Sequence, residues 1–257
     1  NVFAYILAAN IVESGAVALN NITYNGCSAG PYTLTIQPLL TATLTGSSSA
    51  GLITINGADN VIIDGSVGYT TNSICPPVTA SRDLTIINTN TGTSSAVVWL
   101  QTAAGDGATN NVIRNCNISG NAGNTTLVGI GSGSSTIATN SLGTGNNNNR
   151  FENNNIKAVQ IGIYSQGASA ANKNTGNIIN QNVMNFPTGS SQNINTAGIF
   201  TGFENNITIS GNTIGSVGGS ATDAFGISCG SINISTSTFT GNEVTDAVIS
   251  YNKIDSI

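Results

Sequence analysis

A short motif recurs through the second half of the chain and limits the folds that the sequence can adopt. It consists of an apolar residue, any residue, Asn or Gly, an Asn-like residue, any residue and a second apolar residue. Its copies are Ile113–Ile118, Phe151–Ile156, Ile178–Val183, Ile209–Ile214 and Ile249–Ile254, spaced by 27 to 40 residues. A Gly-Ile pair follows most copies, at Gly129-Ile130, Gly162-Ile163, Gly198-Ile199 and Gly226-Ile227, and its glycine is expected to allow a tight bend. Repeats of this length are typical of solenoids, in which each unit stacks on the previous one.

The segments between these turns alternate apolar and polar residues, as β-strands do. Tyr32–Ile36 and Leu52–Ile55 show this period of two. We therefore predict an all-β protein, a right-handed parallel β-helix of roughly eight coils with Asn-rich turns. Consecutive coils lie about 4.8 Å apart, so equivalent residues stack in columns. Because Asn tolerates the left-handed conformation and its amide can hydrogen-bond between coils, the motif predicts a ladder of Asn115, Asn153, Asn154, Asn180, Asn212 and Asn252.

The alternative fold is a β-sandwich with Asn-rich turns. Asn25-Gly26 and Asn56-Gly57 are hairpin signals that favour it. The later copies of the motif use Asn-Asn and Asn-x-Asn instead, and the repeat favours the β-helix. No linker is evident, so residues 1–257 are predicted to form a single β-helix domain, either a segment of a longer chain or a stacking subunit.

The composition excludes several classes of partner. Charged residues make up 7 % of the chain, against about 25 % in an average soluble domain, and the net charge is −5. The six basic residues are scattered, which disfavours nucleic-acid binding. No apolar run approaches the length needed to span a bilayer, so no membrane insertion is predicted. A surface rich in Asn, Thr and Ser is typical of extracellular or cell-surface proteins.

A search for catalytic residues yields one weak candidate. The chain has no histidine, which removes Ser-His-Asp and Cys-His arrangements and most zinc sites. Asp64 is that candidate, although an Asp before Gly65 is typical of a turn. The repeat places Glu152 in the column of Arg114, where an outward salt bridge is expected. The segment 129–133 mimics a phosphate-binding loop without a following helix and is predicted to be a flexible turn. We predict no metal and no cofactor, and favour a protein that is not an enzyme.

The four cysteines can be assigned by their coils. Cys116 and Cys229 lie about three coils apart, at least ~14 Å along the axis. A disulfide needs Cα atoms within about 7 Å, so this pair is excluded. Cys27 and Cys75, both in loop-like segments, are the candidate disulfide.

Several segments resemble those of a known group of proteins. "YTLTIQP", "LITINGADNVIIDG", "GATNNVIRNCNISG" and "GIYSQGASAANKNTGN" look like parts of large secreted or surface proteins of Bacteroidetes, whose coils resemble pectate-lyase-like right-handed β-helices. The resemblance covers nearly the whole chain and implies export by the type IX secretion system, but no activity. The Asp-Asp pair and His-Gly motif of β-helix hydrolases and the clustered Asp ligands of calcium-dependent lyases are missing. Asp255-Ser256-Ile257 resembles the short O-glycosylation signal of Bacteroidetes, which makes Ser256 a candidate modification site.

These observations favour a non-catalytic, extracellular structural or adhesive β-helix. A solenoid exposes strand edges at both ends. The expected partners are therefore other copies of the chain, stacked end to end into a surface fibre, or covalently linked neighbouring domains. The alternative is a carbohydrate-active or glycan-binding β-helix, similar to polysaccharide lyases and hydrolases, with a groove of acids or aromatics from successive coils. The six tyrosines do not share one column, which speaks against an aromatic binding platform.

Overall fold

The computed structural model describes residues 1–22, 31–67, 81–186, 190–218, 224–231 and 241–255. Over these residues the chain is all-β and forms the predicted right-handed parallel β-helix. Its strands, in chain order, are β1 (Val2–Ile6), β2 (Asn10–Val12), β3 (Leu19–Asn20), β4 (Leu34–Pro38), β5 (Ala42–Gly46), β6 (Gly51–Asn56), β7 (Val61–Asp64), β8 (Leu84–Asn88), β9 (Ala96–Gln101), β10 (Val112–Arg114), β11 (Cys116–Ser119), β12 (Val128–Gly133), β13 (Arg150–Glu152), β14 (Asn155–Lys157), β15 (Val159–Gln166), β16 (Asn174–Thr175), β17 (Ile178–Asn180), β18 (Val183–Asn185), β19 (Ile194–Gly202), β20 (Glu204–Asn205), β21 (Thr208–Ser210), β22 (Thr213–Gly215), β23 (Phe225–Cys229), β24 (Val248–Ser250) and β25 (Lys253–Asp255).

Three parallel sheets form the walls of the solenoid. Sheet A contains β1, β4, β7, β10, β13, β17, β21 and β24, and sheet B contains β2, β5, β8, β11, β14, β18, β22 and β25. Sheet C contains β3, β6, β9, β12, β15, β19 and β23. Each coil contributes one strand to each sheet in the order A, B, C, which gives the eight predicted coils in the described residues, the last without a described strand in sheet C.

The core consists of apolar columns that run along the axis. In sheet A one column is Ile63, Ile113, Phe151, Ile179 and Ile209. In sheet B the equivalent column is Ile86, Ile118, Ile156, Met184 and Ile214, and in sheet C it is Val98, Ile130, Ile163 and Ile199. All of these side chains are fully buried. Burial of each such side chain contributes about 1.5–3 kcal/mol, so the repeated apolar positions supply the main driving force for folding.

The glycines of the Gly-Ile pairs lie inside strands rather than at bends. Gly129 and Gly162 belong to β12 and β15, where a Cβ atom would lie 2.5 Å from Cγ2 of Ile156 and 2.3 Å from Sδ of Met184. The missing side chain therefore makes room for the core residues of sheet B. The prediction of a flexible turn at residues 129–133 is wrong, because Val128–Gly133 is a strand in which every residue is buried.

From the fourth coil to the eighth, the turn from sheet A to sheet B contains one residue in the left-handed conformation. This column is Asn115 (φ 56°), Asn153 (φ 50°), Gln181 (φ 57°), Gly211 (φ 66°) and Tyr251 (φ 56°). Asn and Gly adopt this conformation at the lowest cost. Because a single left-handed residue breaks the strict alternation of a strand, it decides which of the flanking residues point into the core.

A second apolar cluster covers the outer face of sheet C. Trp99, Tyr164 and Phe200 stack there with ring centroids 5.8 and 5.9 Å apart, and all three are fully buried. The segment 134–145 lies over these rings: the indole Nε1 donates to the carbonyl of Ser134, and the Tyr164 hydroxyl donates to the carbonyl of Ser141. The rings are thus part of the packed interior and do not form an exposed aromatic platform.

Candidate functional site

A polar column runs along the outer face of sheet A. Each member directly follows a residue of the inward apolar column and therefore points to the opposite face of the sheet. From the third coil to the eighth, the column consists of Asp64, Arg114, Glu152, Asn180, Ser210 and Ser250. It contains the acids and the arginine that the repeat brings together, and it is the candidate functional site of the described solenoid.

The charged side chains of this column form ion pairs within the protein. Nε of Arg114 lies 2.9 Å from Oδ2 of Asp64, and Nη2 of Arg150 lies 2.6 Å from Oε1 of Glu152. Although the column points outward, Asp64, Arg114 and Glu152 are at most 4 % exposed. The expected pair of Arg114 with Glu152 on an exposed surface is therefore corrected: the two residues are neighbours in one column, but the ion pairs join other partners and lie buried.

Asp64 is saturated with hydrogen bonds. Its Oδ1 accepts from the backbone N–H and the hydroxyl of Ser66, at 3.1 and 2.8 Å, and from Nδ2 of Asn115 at 2.8 Å. The bond to the N–H two residues further on is that of an Asx turn. With Arg114 on its other oxygen, the carboxylate of Asp64 is held as a buried anion, which leaves the catalytic role of this weak candidate without geometric support.

Arg82 extends this network to the fifth coil. Its Nε and Nη2 donate to the backbone carbonyl and to Oδ1 of Asn153, at 2.7 and 2.6 Å. Nδ2 of Asn153 in turn donates to Oδ1 of Asn115 at 2.8 Å. Residues from the third to the fifth coil are thereby joined in one chain of hydrogen bonds. Such an arrangement fixes the register between coils, because buried charges are tolerated only when they are paired.

The asparagine ladder lies at the first inward position of sheet B. Its members are Asn154, Asn182, Asn212 and Asn252. In each, Oδ1 accepts the backbone N–H of the equivalent residue one coil earlier, at 3.0–3.1 Å, and Nδ2 donates to a backbone carbonyl of that coil, at 2.8–3.0 Å. These side chains satisfy backbone groups that the turn removes from the regular sheet pattern.

Three of the six residues that the motif assigned to this ladder lie elsewhere. Asn115 and Asn153 occupy the left-handed turn position, where their amides bond to each other. Asn180 is corrected: it lies in β17 as a half-buried member of the outward column, and the ladder residue of its coil is Asn182. The left-handed residue Gln181 separates the two and reverses which of them points inward.

A second asparagine column stands five residues before the first. It consists of Asn111, Asn149 and Asn177, whose Oδ1 atoms accept the backbone N–H groups of Val61, Asn111 and Asn149 at 2.8–3.0 Å. The repeat motif did not indicate this second column. The signal was the constant spacing of five residues between Asn149 and Asn154 and between Asn177 and Asn182.

Glu204 is a buried acid that no sequence motif indicated. It stacks on Asn174 in a third polar column that begins at Asn146. Its carboxyl is fully buried and accepts from Oγ of Ser165 at 2.6 Å and from Nδ2 of Asn177 at 3.0 Å. Burial raises the pKa of Glu204 to about 8, and the hydrogen bonds lower it only in part.

The remaining predicted sites lie partly outside the described residues. Cys27, Cys75 and Ser256 fall there, so the disulfide and the glycosylation stay predictions. Cys116 and Cys229 are free thiols in the fourth and seventh coils. Within the described ranges, no group of three or more Cys, Asp or Glu side chains could hold a metal ion. The same ranges contain no helix long and apolar enough to cross a membrane.

Comparison with known proteins assigns no family to this chain. No family model matches it, and no curated protein is similar in sequence. A solved structure, that of the Dettilon tailspike protein (gp208), covers 99 % of this chain at 12 % identity and a TM-score of 0.39. This chain spans 55 % of that tailspike chain. At this similarity the match carries no argument about activity, and the chain is described by its architecture as a parallel β-helix solenoid.

Proposed function

We propose that this chain is a non-catalytic, extracellular structural or adhesive β-helix whose end faces stack on those of further copies. The chemistry of the two end faces carries this proposal. On the first coil the exposed apolar side chains are Val2, Phe3, Tyr5, Leu7, Val12 and Val17, and on the last they are Val248, Ile249, Tyr251 and Ile254. Strand edges with exposed apolar side chains are templates for pairing with another chain.

The columns of the solenoid make the two faces complementary. Ile249 stands in the column that begins at Ala4, and Ile254 stands in the column that begins at Ile11. Head-to-tail stacking would therefore continue both apolar columns and pair β24 and β25 with β1 and β2 of the next copy. An apolar cavity of about 160 Å³, lined in part by Ile6 and the exposed Val17, adjoins the first coil. A contact between two different faces does not close on itself and so produces filaments.

The junction is expected to be weaker than a boundary between coils of one chain. Sheets A and B each have eight described strands, whereas sheet C has seven. Two sheets would pair directly across the junction, and the third would be one strand short. Assembly should therefore depend strongly on protein concentration.

Two properties of the chain support an extracellular location. The surface is poor in charge and rich in Asn, Thr and Ser, and many segments resemble secreted and surface proteins of Bacteroidetes that the type IX system exports. An adhesive or fibrous role on the cell surface is consistent with a repetitive fold whose described polar networks join one coil to the next.

Light scattering coupled to size-exclusion chromatography, with electron microscopy, tests the stacking. The wild-type chain should form linear assemblies as its concentration rises. Ile249→Lys should abolish them, because an ammonium would enter the apolar junction. Leu142→Lys is the matched control, since Leu142 is 39 % exposed on the side of the solenoid, and it should assemble normally. A wild-type chain that stays monomeric at every concentration, or two variants that assemble equally, would refute the proposal.

The outward column of sheet A favours a second candidate function, a glycan-binding or carbohydrate-active β-helix. In the half-buried part of this column, amide and hydroxyl side chains recur at Asn180, Ser210 and Ser250, about 4.8 Å apart, which suits an extended polar ligand. Incubation with a panel of polysaccharides, followed by measurement of reducing ends and unsaturated products, distinguishes the two functions, because the structural role requires no product.

A further inference from the structure

The interior of the solenoid changes from apolar to polar along one corner. At the last inward position of sheet C, the first three coils carry Leu19, Ile55 and Leu100, and the next four carry Ser132, Ser165, Thr201 and Cys229. Beside this column, the turn toward sheet A carries Asn146, Asn174 and Glu204. Apart from Cys229, which is exposed at its end, the corner thus forms a buried polar strip, and Glu204 is its acidic member.

The hydrogen-bond partners of Glu204 are neutral. Oε1 accepts from Oγ of Ser165 at 2.6 Å, and Nδ2 of Asn177 donates to both carboxyl oxygens, at 3.0 and 3.3 Å. Among the described residues, no cationic group lies within ion-pair distance of this carboxyl. A carboxylate at this position would be a buried charge stabilised by hydrogen bonds without a counter-ion.

The titratable groups nearest to Glu204 do not offset such a charge. From sheet C, the thiol of Cys229 faces the carboxyl, and burial raises the pKa of this thiol, so it stays neutral. From the turn beneath, Lys173 directs its Nζ to the carboxylate of Glu243, at 3.0 Å, and to the hydroxyl of Thr245. The nearest ammonium group is therefore already engaged.

We propose that Glu204 is a proton-binding switch in this solenoid, neutral while the coils are closed, whose ionisation in alkaline solution loosens the corner between the fifth and seventh coils. Burial holds the pKa of Glu204 at about 8, against an ordinary value of about 4.5 in the unfolded chain. Between these two values the unfolded chain has lost the proton that the folded chain keeps. The folded state is therefore progressively disfavoured as the pH rises from about 4.5 to about 8, and the effect is constant above that.

Denaturation of the wild type and of Glu204→Gln over pH 5 to 9 tests the switch. Gln has the shape of the neutral acid, and its amide oxygen in the place of Oε1 can still accept from Oγ of Ser165 and from Nδ2 of Asn177, whereas its Nε2 cannot accept the second contact from Asn177. The unfolding constant of the wild type, relative to that of the variant, should rise up to about tenfold per pH unit between pH 5 and 8 and then level off. Asp106→Asn is the control, because Asp106 is exposed and lies in the third coil, away from Glu204, and its profile should run parallel to that of the wild type. Parallel profiles for Glu204→Gln would overturn the proposal.

Infrared spectroscopy of the wild type tests the protonation of Glu204 even if Glu204→Gln does not fold. Infrared spectra at pH 7 should show the carbonyl band of one protonated carboxyl, and this band should disappear as the pH rises through about 8. The backbone N–H of Thr245 donates to the backbone carbonyl of Glu204 at 2.9 Å. Once Glu204 is ionised, this N–H should exchange its hydrogen with solvent faster than neighbouring amides of the same intrinsic rate. A spectrum at pH 7 without a protonated carboxyl would overturn the proposal.

Discussion

Replacement of Asn182 by alanine should destabilise the solenoid far more than the same change at Asn180, two residues earlier. The side chain of Asn182 is fully buried. Its Oδ1 accepts the backbone N–H of Asn154 at 3.0 Å, and its Nδ2 donates to the carbonyl of Phe151 at 2.8 Å. Asn182→Ala removes both bonds and also the bonds to the side-chain amides of Asn154 and Asn212, at 3.1 and 3.0 Å, and it leaves a buried backbone donor and a buried backbone acceptor without these partners. Each unsatisfied backbone group costs about 1–3 kcal/mol, so the expected loss for the two groups is about 2–6 kcal/mol.

Asn180→Ala is the matched control for this prediction. Asn180 is half-buried on the outward face, and its backbone carbonyl, which accepts from the N–H of Asn153 at 2.9 Å, is retained in alanine. The expected loss is below about 1 kcal/mol. Asn182→Leu restores volume without hydrogen bonds, and Leu84 shows that leucine fits this column in the third coil. Asn182→Leu should therefore recover only part of the stability lost in Asn182→Ala.

Chemical denaturation measures the free energy of unfolding for each variant. Hydrogen exchange adds a local measurement, because a solenoid can open one coil at a time. The backbone N–H of Asn154 should exchange its hydrogen with solvent faster in Asn182→Ala and at the wild-type rate in Asn180→Ala. Equal losses of stability in the two variants, or protection of Asn154 that does not depend on residue 182, would show that the ladder does not hold the coils together.

Three further predictions concern groups inside the solenoid. Gly131→Ala should cost about 1–3 kcal/mol and shift the fluorescence of Trp99, because a Cβ atom would lie 2.2 Å from Cζ3 of its ring; unchanged fluorescence would contradict the packing. Arg114→Met should cost about 3–5 kcal/mol in urea denaturation at pH 7, since it leaves the buried carboxylate of Asp64 without its ion-pair partner; a loss below about 1 kcal/mol would contradict this. Burial raises the pKa of the Cys116 thiol, so this residue should resist alkylation in the native protein, as peptide mass mapping would show.

The repeat motif predicted the core column of sheet A with one error of register. Ile113, Phe151 and Ile209 recur at its first position, and only a stacked solenoid buries all of them in the same way. In the copy Ile178–Val183 the core residue is Ile179, so the motif was placed one residue too early there. The motif could not identify the ladder position in each coil. Where several asparagines are close together, as at residues 180 and 182, the inward residue depends on which one adopts the left-handed turn conformation.

The Gly-Ile pairs show a similar limit. The sequence indicated that glycine recurs, and a bend was the local explanation. In the folded chain, Gly129 and Gly162 are needed because core side chains of sheet B approach the backbone of sheet C. This requirement arises between residues that are far apart in the sequence, so no local pattern could reveal it.

By itself, the sequence determined the architecture of this protein, because spacing, alternation and the recurrence of apolar and amide residues are local properties that a parallel β-helix converts into columns. The tertiary structure decided which polar groups are buried and what they face. Glu204 has no distinctive sequence context, and its burial follows from the coils above and below it. The ion pair of Asp64 with Arg114 likewise depends on the stacking of coils, and so does the burial of Glu152, although its partner Arg150 lies in the same strand. Electrostatic environment is set by distance and exposure in space rather than by position along the chain.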